Sequence, residues 1–259
     1  WRLLMLKDIL TSSSMPISYL DSRNPEFPDP KSASQSMDGL LAIGGNLHTD
    51  TLLTAYRKGI FPWYGKDDPL LWWSPPVRCI LRPHNIHISR SLKRDIKKNR
   101  YAITSDSVFN KIVQECSRDG NRKSKGSWIT PDMEEAYCRL HVAGAAHSIE
   151  VWLNGELVGG LYGVAIGGIF CGESMFSIVP NASKVALIAL CEGLKKVGFS
   201  LIDCQLVTPH LESLGAKPIP RSDFLNILVV QRYRNIDWPN FDDNDIFAKV
   251  WDRAILGRQ

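Results

Sequence analysis

Residues 148–177 read SIEVWLNGELVGGLYGVAIGGIFCGESMFS, and this stretch decides the fold class. It contains three apolar runs, at 148–152, 157–166 and 169–177, which are separated by Asn154-Gly155 and by Gly167-Gly168. An Asn-Gly pair between two apolar runs is the strongest short-range signal of a β-hairpin. The stretch therefore predicts three antiparallel strands joined by two tight turns.

Segments with helical periodicity surround these strands, at 89–99, at 106–117, from Thr130 to about Gly144 and at 183–196. Upstream, a helix is predicted to begin at Thr49 or Asp50 and to end before Gly59. A further strand is predicted at 200–207, directly after the last helix. This order of elements predicts an α+β fold with one mixed, mainly antiparallel sheet and flanking helices.

The composition of the 259-residue chain is that of an ordinary globular protein, with 44% hydrophobic and 22% charged residues. It excludes a collagen-like chain and a wholly disordered one. The net charge of +4 is compatible with a nucleic-acid partner without requiring one. The longest uncharged run, 157–172, is shorter than the ~20 residues of a membrane span, and residues 1–8 lack the features of a secretory signal. We therefore expect a cytoplasmic protein that does not enter the membrane.

Cofactor and metal motifs are absent from the sequence. The six cysteines form no Cys-x-x-Cys pair, which predicts reduced core thiols rather than disulfides or a zinc framework, and no metal site is expected. No Walker loop, no Gly-x-Gly-x-x-Gly and no Gly-x-Ser-x-Gly occurs. We expect no cofactor, and therefore direct group transfer between two bound substrates.

Polar side chains interrupt two of the apolar strands. Alternation along the strand places Asp203 and Gln205 on one face of 200–207, and it places Glu173 on one face of 169–177. Such groups are costly to bury unless they bond to one another or to a ligand. Two interpretations follow, namely a polar network that locks the sheet or a cleft that holds a cationic or amine-bearing ligand.

Basic and aromatic residues gather in two further places. The helix at 89–99 has a thin apolar edge and a basic surface, and the basic loop 118–127 leads into Trp128. Three tryptophans lie within 63–73. The interpretation without a binding function is a solvated helix face and an aromatic core. The alternative is a surface that contacts phosphates and stacks bases, as in proteins that bind single-stranded nucleic acid.

Seven blocks in one order resemble the bacterial leucyl/phenylalanyl-tRNA–protein transferases. They are GLLAIGGNL (39–47), YRKGIFPW (56–63), LWWSP (71–75), HSIEVW (147–152), FCGESMFS (170–177), SK (183–184) and LIDCQ (201–205). The resemblance implies a small N-terminal domain, 1–77, and a GNAT-like acyltransferase domain, 78–259. It also implies transfer of Leu, Phe or sometimes Met from aminoacyl-tRNA to the α-amine of proteins that begin with Arg or Lys, which marks those proteins for degradation. Nothing in the sequence suggests an obligate dimer, so a monomer is expected.

The resemblance also implies roles for individual residues. Asp203 and Gln205 match a catalytic relay, and Glu173 matches an acid near the acceptor's N-terminus. The remaining matches fall into three groups: a pocket for the aminoacyl side chain formed by Phe170, Met175, Leu187, Leu190 and Ile202; aromatic rings for the terminal adenosine of the tRNA at Tyr56, Trp63 and Trp128; and contacts to tRNA phosphates from Arg90, Lys93, Arg94, Lys97 and Lys98.

Two other functions use the same fold or the same surface. An acyl-CoA N-acetyltransferase is disfavoured, because residues 176–183 contain no glycine where such enzymes cradle a pyrophosphate. A non-catalytic tRNA-binding module would explain the basic helix, but it leaves Glu173, Asp203 and Gln205 without a purpose.

Overall fold

The computed structural model describes residues 17–98, 101–118 and 129–241, whose strands form two sheets. The smaller sheet has the strand order β1-β2-β4-β3 and consists of β1 (Ser18–Leu20), β2 (Leu40–Gly44), β3 (Phe61–Pro62) and β4 (Leu71–Trp73). The larger sheet has the order β11-β5-β10-β9-β8-β7-β6. Its strands are β5 (Val77–Leu81), β6 (Ala102–Ser105), β7 (Ala146–Leu153), β8 (Glu156–Ile166), β9 (Ile169–Ser177), β10 (Leu201–Gln205) and β11 (Lys217–Pro220).

Helices pack on both faces of the larger sheet. In chain order they are α1 (Thr49–Arg57), α2 (Arg90–Lys98), α3 (Phe109–Arg118), α4 (Pro131–Val142), α5 (Ala182–Val197), α6 (Pro209–Ser213) and α7 (Arg221–Gln231). One apolar cluster includes buried residues of α1, α3, α4 and α7, and a second includes residues of α2 and α5. The sheet is therefore covered on both sides, which explains why its strands are apolar with few polar interruptions.

The three predicted strands and their turns are confirmed as β7, β8 and β9. Asn154 and Gly155 have φ values of 53° and 82°, the positive values that both central residues of a type I′ hairpin turn require. Neighbouring strands of the larger sheet are antiparallel except β9 and β10, which are parallel, so the predicted mixed, mainly antiparallel α+β fold is confirmed.

Two predicted boundaries differ from the observed elements. The helix predicted at 106–117 begins at Phe109, because Asp106 has a left-handed φ of 59° and uses its carboxylate to accept the backbone N–H of Ser148. The strand predicted at 200–207 ends at Gln205, whose φ of 62° breaks the extended conformation.

The chain passes from the smaller sheet to the larger one between Trp73 and Val77. This lies beside the domain boundary predicted after residue 77. The first apolar cluster nevertheless crosses it, since Tyr56 and Phe61 share that cluster with Tyr137 and Phe224. The division into two domains stays a prediction.

Candidate functional site

Glu173 lies at the centre of a hydrogen-bonded group of four side chains. Its Oε1 accepts hydrogen bonds from the Tyr56 hydroxyl at 2.8 Å and from Gln205 Nε2 at 2.9 Å, and its Oε2 accepts one from the Tyr137 hydroxyl at 2.7 Å. The two phenol oxygens are themselves 2.8 Å apart. Helices α1 and α4 supply the phenols, while strands β9 and β10 supply the carboxylate and the amide.

Two β-bulges bring Glu173 and Gln205 to this position. In the β8–β9 pair, Gly172 and Ser174 face Gly163 and Tyr162, so Glu173 has no partner across the ladder. In the β5–β10 pair, Asp203 and Gln205 face consecutive residues of β5, so Cys204 is the extra residue. A bulge interrupts the alternation of side chains and re-aims those beside it.

A cleft opens where the parallel strands β9 and β10 stop pairing. Their ladder runs from Leu201 and Ile169 to Asp203 and Cys171, although β9 continues to Ser177. Beyond that point lies a largely apolar cavity of about 350 Å³ whose wall includes Glu173 and Gln205. The structure brings all five predicted aminoacyl-pocket residues into the same wall: Phe170, Met175, Leu187, Leu190 and Ile202.

The environment of Glu173 raises the pKa of its carboxyl group towards neutral pH. Burial raises the pKa of its carboxyl group from 4.5 to about 7, although the hydrogen bonds from Tyr137, Tyr56 and Gln205 lower it. Burial and the charge of Glu173 raise the pKa of Tyr56 and of Tyr137 well above 10, so both phenols stay protonated and donate. The arrangement supplies a carboxylate that exchanges a proton near pH 7 beside an apolar cavity.

Asp203 does not line this cavity. Both of its carboxylate oxygens accept hydrogen bonds from Arg78, at 2.8 Å from Nε and 2.6 Å from Nη2, and its side chain is fully buried. Oδ1 also accepts the backbone N–H of Gln205 at 2.9 Å. Asp203 and Gln205 bond to different side chains, Arg78 and Glu173. The rings that surround those two partners, Phe61 and Phe224 on one and Tyr56 and Tyr137 on the other, belong to the same apolar cluster. A relay in which Asp203 takes the proton does not fit a carboxylate already neutralised by Arg78. Its contact with the site runs through the backbone of Gln205.

Arg78 was missed by the sequence analysis. Its guanidinium lies 4.8 Å from the ring centre of Phe61 and 4.5 Å from that of Phe224, and Nη1 donates to the carbonyl oxygen of Gly59. Burial lowers the pKa of Arg78, but the charge of Asp203 outweighs this and the pKa is raised, so the guanidinium stays charged. The available signal was a single arginine within the otherwise apolar run VRCIL at 77–81.

Two of the three aromatic residues predicted to stack on adenosine lie in the described part of the chain, in different surroundings. Trp63 lines the cavity and packs edge-on against Trp73, with 5.7 Å between the ring centres. Tyr56 is only 2% exposed, so its ring has no open face for a base, and stacking by Tyr56 does not fit the structure. Trp128 lies outside the described residues.

The basic side chains predicted to contact phosphates share the solvent side of α2. Leu92 and Ile96 of this helix are buried, while Lys93 is half-buried and the other four are exposed: Arg90, Arg94, Lys97 and Lys98. The helix therefore presents five cations opposite its buried edge.

The described part of the chain contains no group of three or more His, Cys, Asp or Glu side chains that could hold a metal ion. Among its helices, none has the length and apolarity needed to cross a membrane. All six cysteines are free thiols.

Comparison with known proteins assigns the family. Residues 80–229 match the family described as leucyl/phenylalanyl-tRNA protein transferase, and residues 45–76 match the N-terminal domain of that family. The leucyl/phenylalanyl-tRNA–protein transferase of Shewanella pealeana is 50% identical over 234 residues, which cover 90% of this chain and 99% of that protein. The enzyme of the same name from Shigella dysenteriae is 50% identical over 214 residues, 83% of this chain and 90% of that protein.

Solved structures are more distant. L-PGS from Bacillus licheniformis is 14% identical, with a TM-score of 0.38 over 58% of this chain and 48% of its own. A GCN5-related N-acetyltransferase from Kribbella flavida is 11% identical, with a TM-score of 0.36 over 63% of this chain and 58% of its own. These scores are too low to carry an argument, and the assignment rests on the sequence matches. The chain belongs to the leucyl/phenylalanyl-tRNA–protein transferase family, as its seven sequence blocks predicted.

Proposed function

We propose that this protein transfers Leu or Phe from aminoacyl-tRNA to the α-amino group of an acceptor protein. The observation that carries the proposal is an apolar cavity of about 350 Å³ bordered by Glu173, whose pKa of about 7 suits a general base. The cavity accepts an apolar side chain, while the polar pair Glu173 and Gln205 meets the reacting groups.

The reaction is the aminolysis of an ester that is already activated. The amine nitrogen attacks the carbonyl carbon, the bond from that carbon to the ribose oxygen breaks, and the nitrogen loses one proton. The α-ammonium group, with a pKa of ~8, gives the neutral amine by losing a proton to solvent, and a neighbouring carboxylate with a pKa of about 7 is well matched to take the proton that the amine nitrogen loses as the C–N bond forms. We assign this role to Glu173, and the proton then passes to the departing ribose hydroxyl.

Gln205 and Asp203 orient the reactants. An amide is not a base, so Gln205 acts by hydrogen bonding, and its Nε2 contact to Glu173 fixes its side chain at the cavity wall. Asp203 accepts the Gln205 backbone N–H and stabilises the strained φ of that residue. These two residues serve orientation, which in a reaction of this kind supplies much of the rate.

The finer specificity is proposed from the family resemblance. The acceptors are proteins with N-terminal Arg or Lys, Met is an additional donor, and the product is marked for degradation. The cations of α2 fit acceptor-stem phosphates, and Trp63 at the cavity wall fits the terminal adenosine. The monomeric state and the cytoplasmic location remain predictions.

The test is a transfer assay with labelled Phe-tRNA and a peptide that begins with Arg. We expect label in the peptide with no added cofactor, and none in the same peptide with an acetylated N-terminus. A requirement for acyl-CoA would contradict the proposal in favour of an N-acetyltransferase. Tight tRNA binding without transfer to any basic N-terminus would favour a binding module instead.

Tyr137→Phe is expected to shift the pH dependence of transfer to more alkaline pH. The Tyr137 hydroxyl lowers the pKa of Glu173 by hydrogen bonding to its charged form, so its removal raises that pKa. The pH at which the rate reaches half its maximum should rise, as measured in single-turnover assays. Tyr64→Phe is the matched control, because its hydroxyl contacts Thr130 rather than Glu173. An unchanged midpoint in Tyr137→Phe would show that Glu173 does not control the rate.

A further inference from the structure

The ring of Phe170 separates the cavity from Trp238. Phe170 lines the cavity, and its ring centre lies 5.5 Å from that of Trp238, at an interplanar angle of 32°. Trp238 is not one of the described residues that form the cavity wall. Trp238 therefore touches the back of a wall residue without touching the space that the wall encloses.

Trp238 is itself held by contacts with β6 and β7. Its ring stacks on His147 with 4.1 Å between centres and an interplanar angle of 6°, and its Nε1 donates to Ser105 Oγ at 2.9 Å. His147 Nδ1 lies 2.7 Å from Asp106 Oδ2, which fixes the imidazole. Asp106, His147, Trp238 and Phe170 form a continuous series of contacts, here called the backing stack.

Gly163 determines where the Phe170 ring lies on its other side. A Cβ atom built on Gly163 would lie 2.6 and 2.7 Å from two atoms of that ring. The ring thus occupies space that only a glycine at position 163 leaves free. The position of this part of the wall is therefore set by its contacts with Gly163 and Trp238.

We infer that Trp238 determines the depth of the aminoacyl pocket, and through that depth the preference between Phe and Leu, by holding Phe170 from behind. The inference rests on the proposed function. Protein interiors are close-packed, so a smaller residue at 238 leaves a space into which the neighbouring ring relaxes. A pocket that deepens in this way gains contacts with the longer Phe side chain and gains little with Leu.

The test compares donors in the same enzyme preparation. Trp238→Leu is expected to raise the ratio of kcat/KM for Phe-tRNA to kcat/KM for Leu-tRNA by about tenfold, the lower end of the range expected when a hydrophobic pocket gains or loses one methylene group. A loss of folded protein lowers both rates equally and cancels in the ratio. Trp238→Phe keeps an aromatic ring and should show a smaller shift of the ratio in the same direction. It replaces Trp238→Leu in the test if that variant folds poorly.

Two further variants separate positioning from general destabilisation. Trp152→Leu removes the same side chain at a half-buried site on β7, where Nε1 bonds to Thr104 Oγ1, and it should leave the ratio unchanged. In a Phe170→Leu background, Trp238→Leu should lose most of its effect on the ratio, because the ring that transmits it is gone.

The outcomes distinguish this inference from the proposed function. A wild-type protein that transfers both amino acids, with a ratio that neither Trp238 variant moves, overturns the inference and leaves the function standing. A shift of equal size in Trp152→Leu also overturns it. A wild-type protein that transfers neither amino acid overturns both.

Discussion

Glu173→Gln is expected to lower the single-turnover rate of transfer by at least about 100-fold, the usual contribution of a general base. The amide keeps nearly the same shape and still accepts a phenol hydrogen bond, but it takes no proton from the attacking amine. The wild-type rate should rise with pH as the carboxyl group ionises near pH 7 and again as the amine, with a pKa of ~8, loses its proton. The variant should keep only the second rise.

Glu150→Gln is the matched control for this change. Glu150 is a fully buried carboxylate on β7, which is separated from β9 by β8, and it accepts hydrogen bonds from Ser148 and Thr104 away from the cavity. Its variant should transfer at nearly the wild-type rate when corrected for folded fraction. A rate for Glu173→Gln within a few fold of this control would exclude Glu173 as the base.

Glu173→Gln should also alter the free energy of unfolding in a pH-dependent way. The pKa of Glu173 is raised on folding, so the folded state holds this proton more tightly than the unfolded state. The stability that this proton contributes is complete below about pH 4.5 and is lost as the pH rises through about 7. Glu173→Gln should therefore gain stability relative to the wild type as the pH rises from about 4.5 to about 7, with little further change above that, as urea denaturation would measure.

Arg78→Leu is expected to lower the free energy of unfolding by about 3–5 kcal/mol, because it leaves the buried carboxylate of Asp203 without its partner. Transfer should fall with it, since Asp203 then no longer holds the Gln205 backbone in place. Arg221→Leu is a control for the loss of an inner arginine. Arg221 donates to the backbone carbonyl oxygens of Ser74 and Ala33, so its removal strands no carboxylate and should cost less stability.

The double variant Arg78→Leu/Asp203→Leu separates the effect of an unpaired buried charge on stability from the effect of losing Asp203 on transfer. It should recover much of the stability lost in Arg78→Leu, because no unpaired ion stays buried, yet it should remain poor in transfer. Denaturant titration and single-turnover rates measure the two effects separately. Recovery of transfer together with stability would contradict the positioning role of Asp203.

The sequence predicted the helices and strands well, but it predicted the bulges and side-chain contacts of the site poorly. Period-two alternation and Asn154-Gly155 were sufficient for β7, β8 and β9, and the order of blocks was sufficient for the family. The bulges at Glu173 and Cys204 were not predicted, because a bulge depends on how two strands pair and leaves no mark in either strand alone. Arg78 and Tyr137 escaped notice because their partners lie 125 and 36 residues away along the chain.

The extra residue in β9 has a consequence for how this site is built. Removing Glu173 would leave Gly172 and Ser174 in consecutive positions opposite Gly163 and Tyr162, and the hairpin would then run in perfect phase from end to end. The carboxylate that we propose as the base thus occupies the one position that a regular hairpin would lack. Deletion of a single codon, the one for Glu173, would therefore give a regular hairpin and remove this carboxylate from the site.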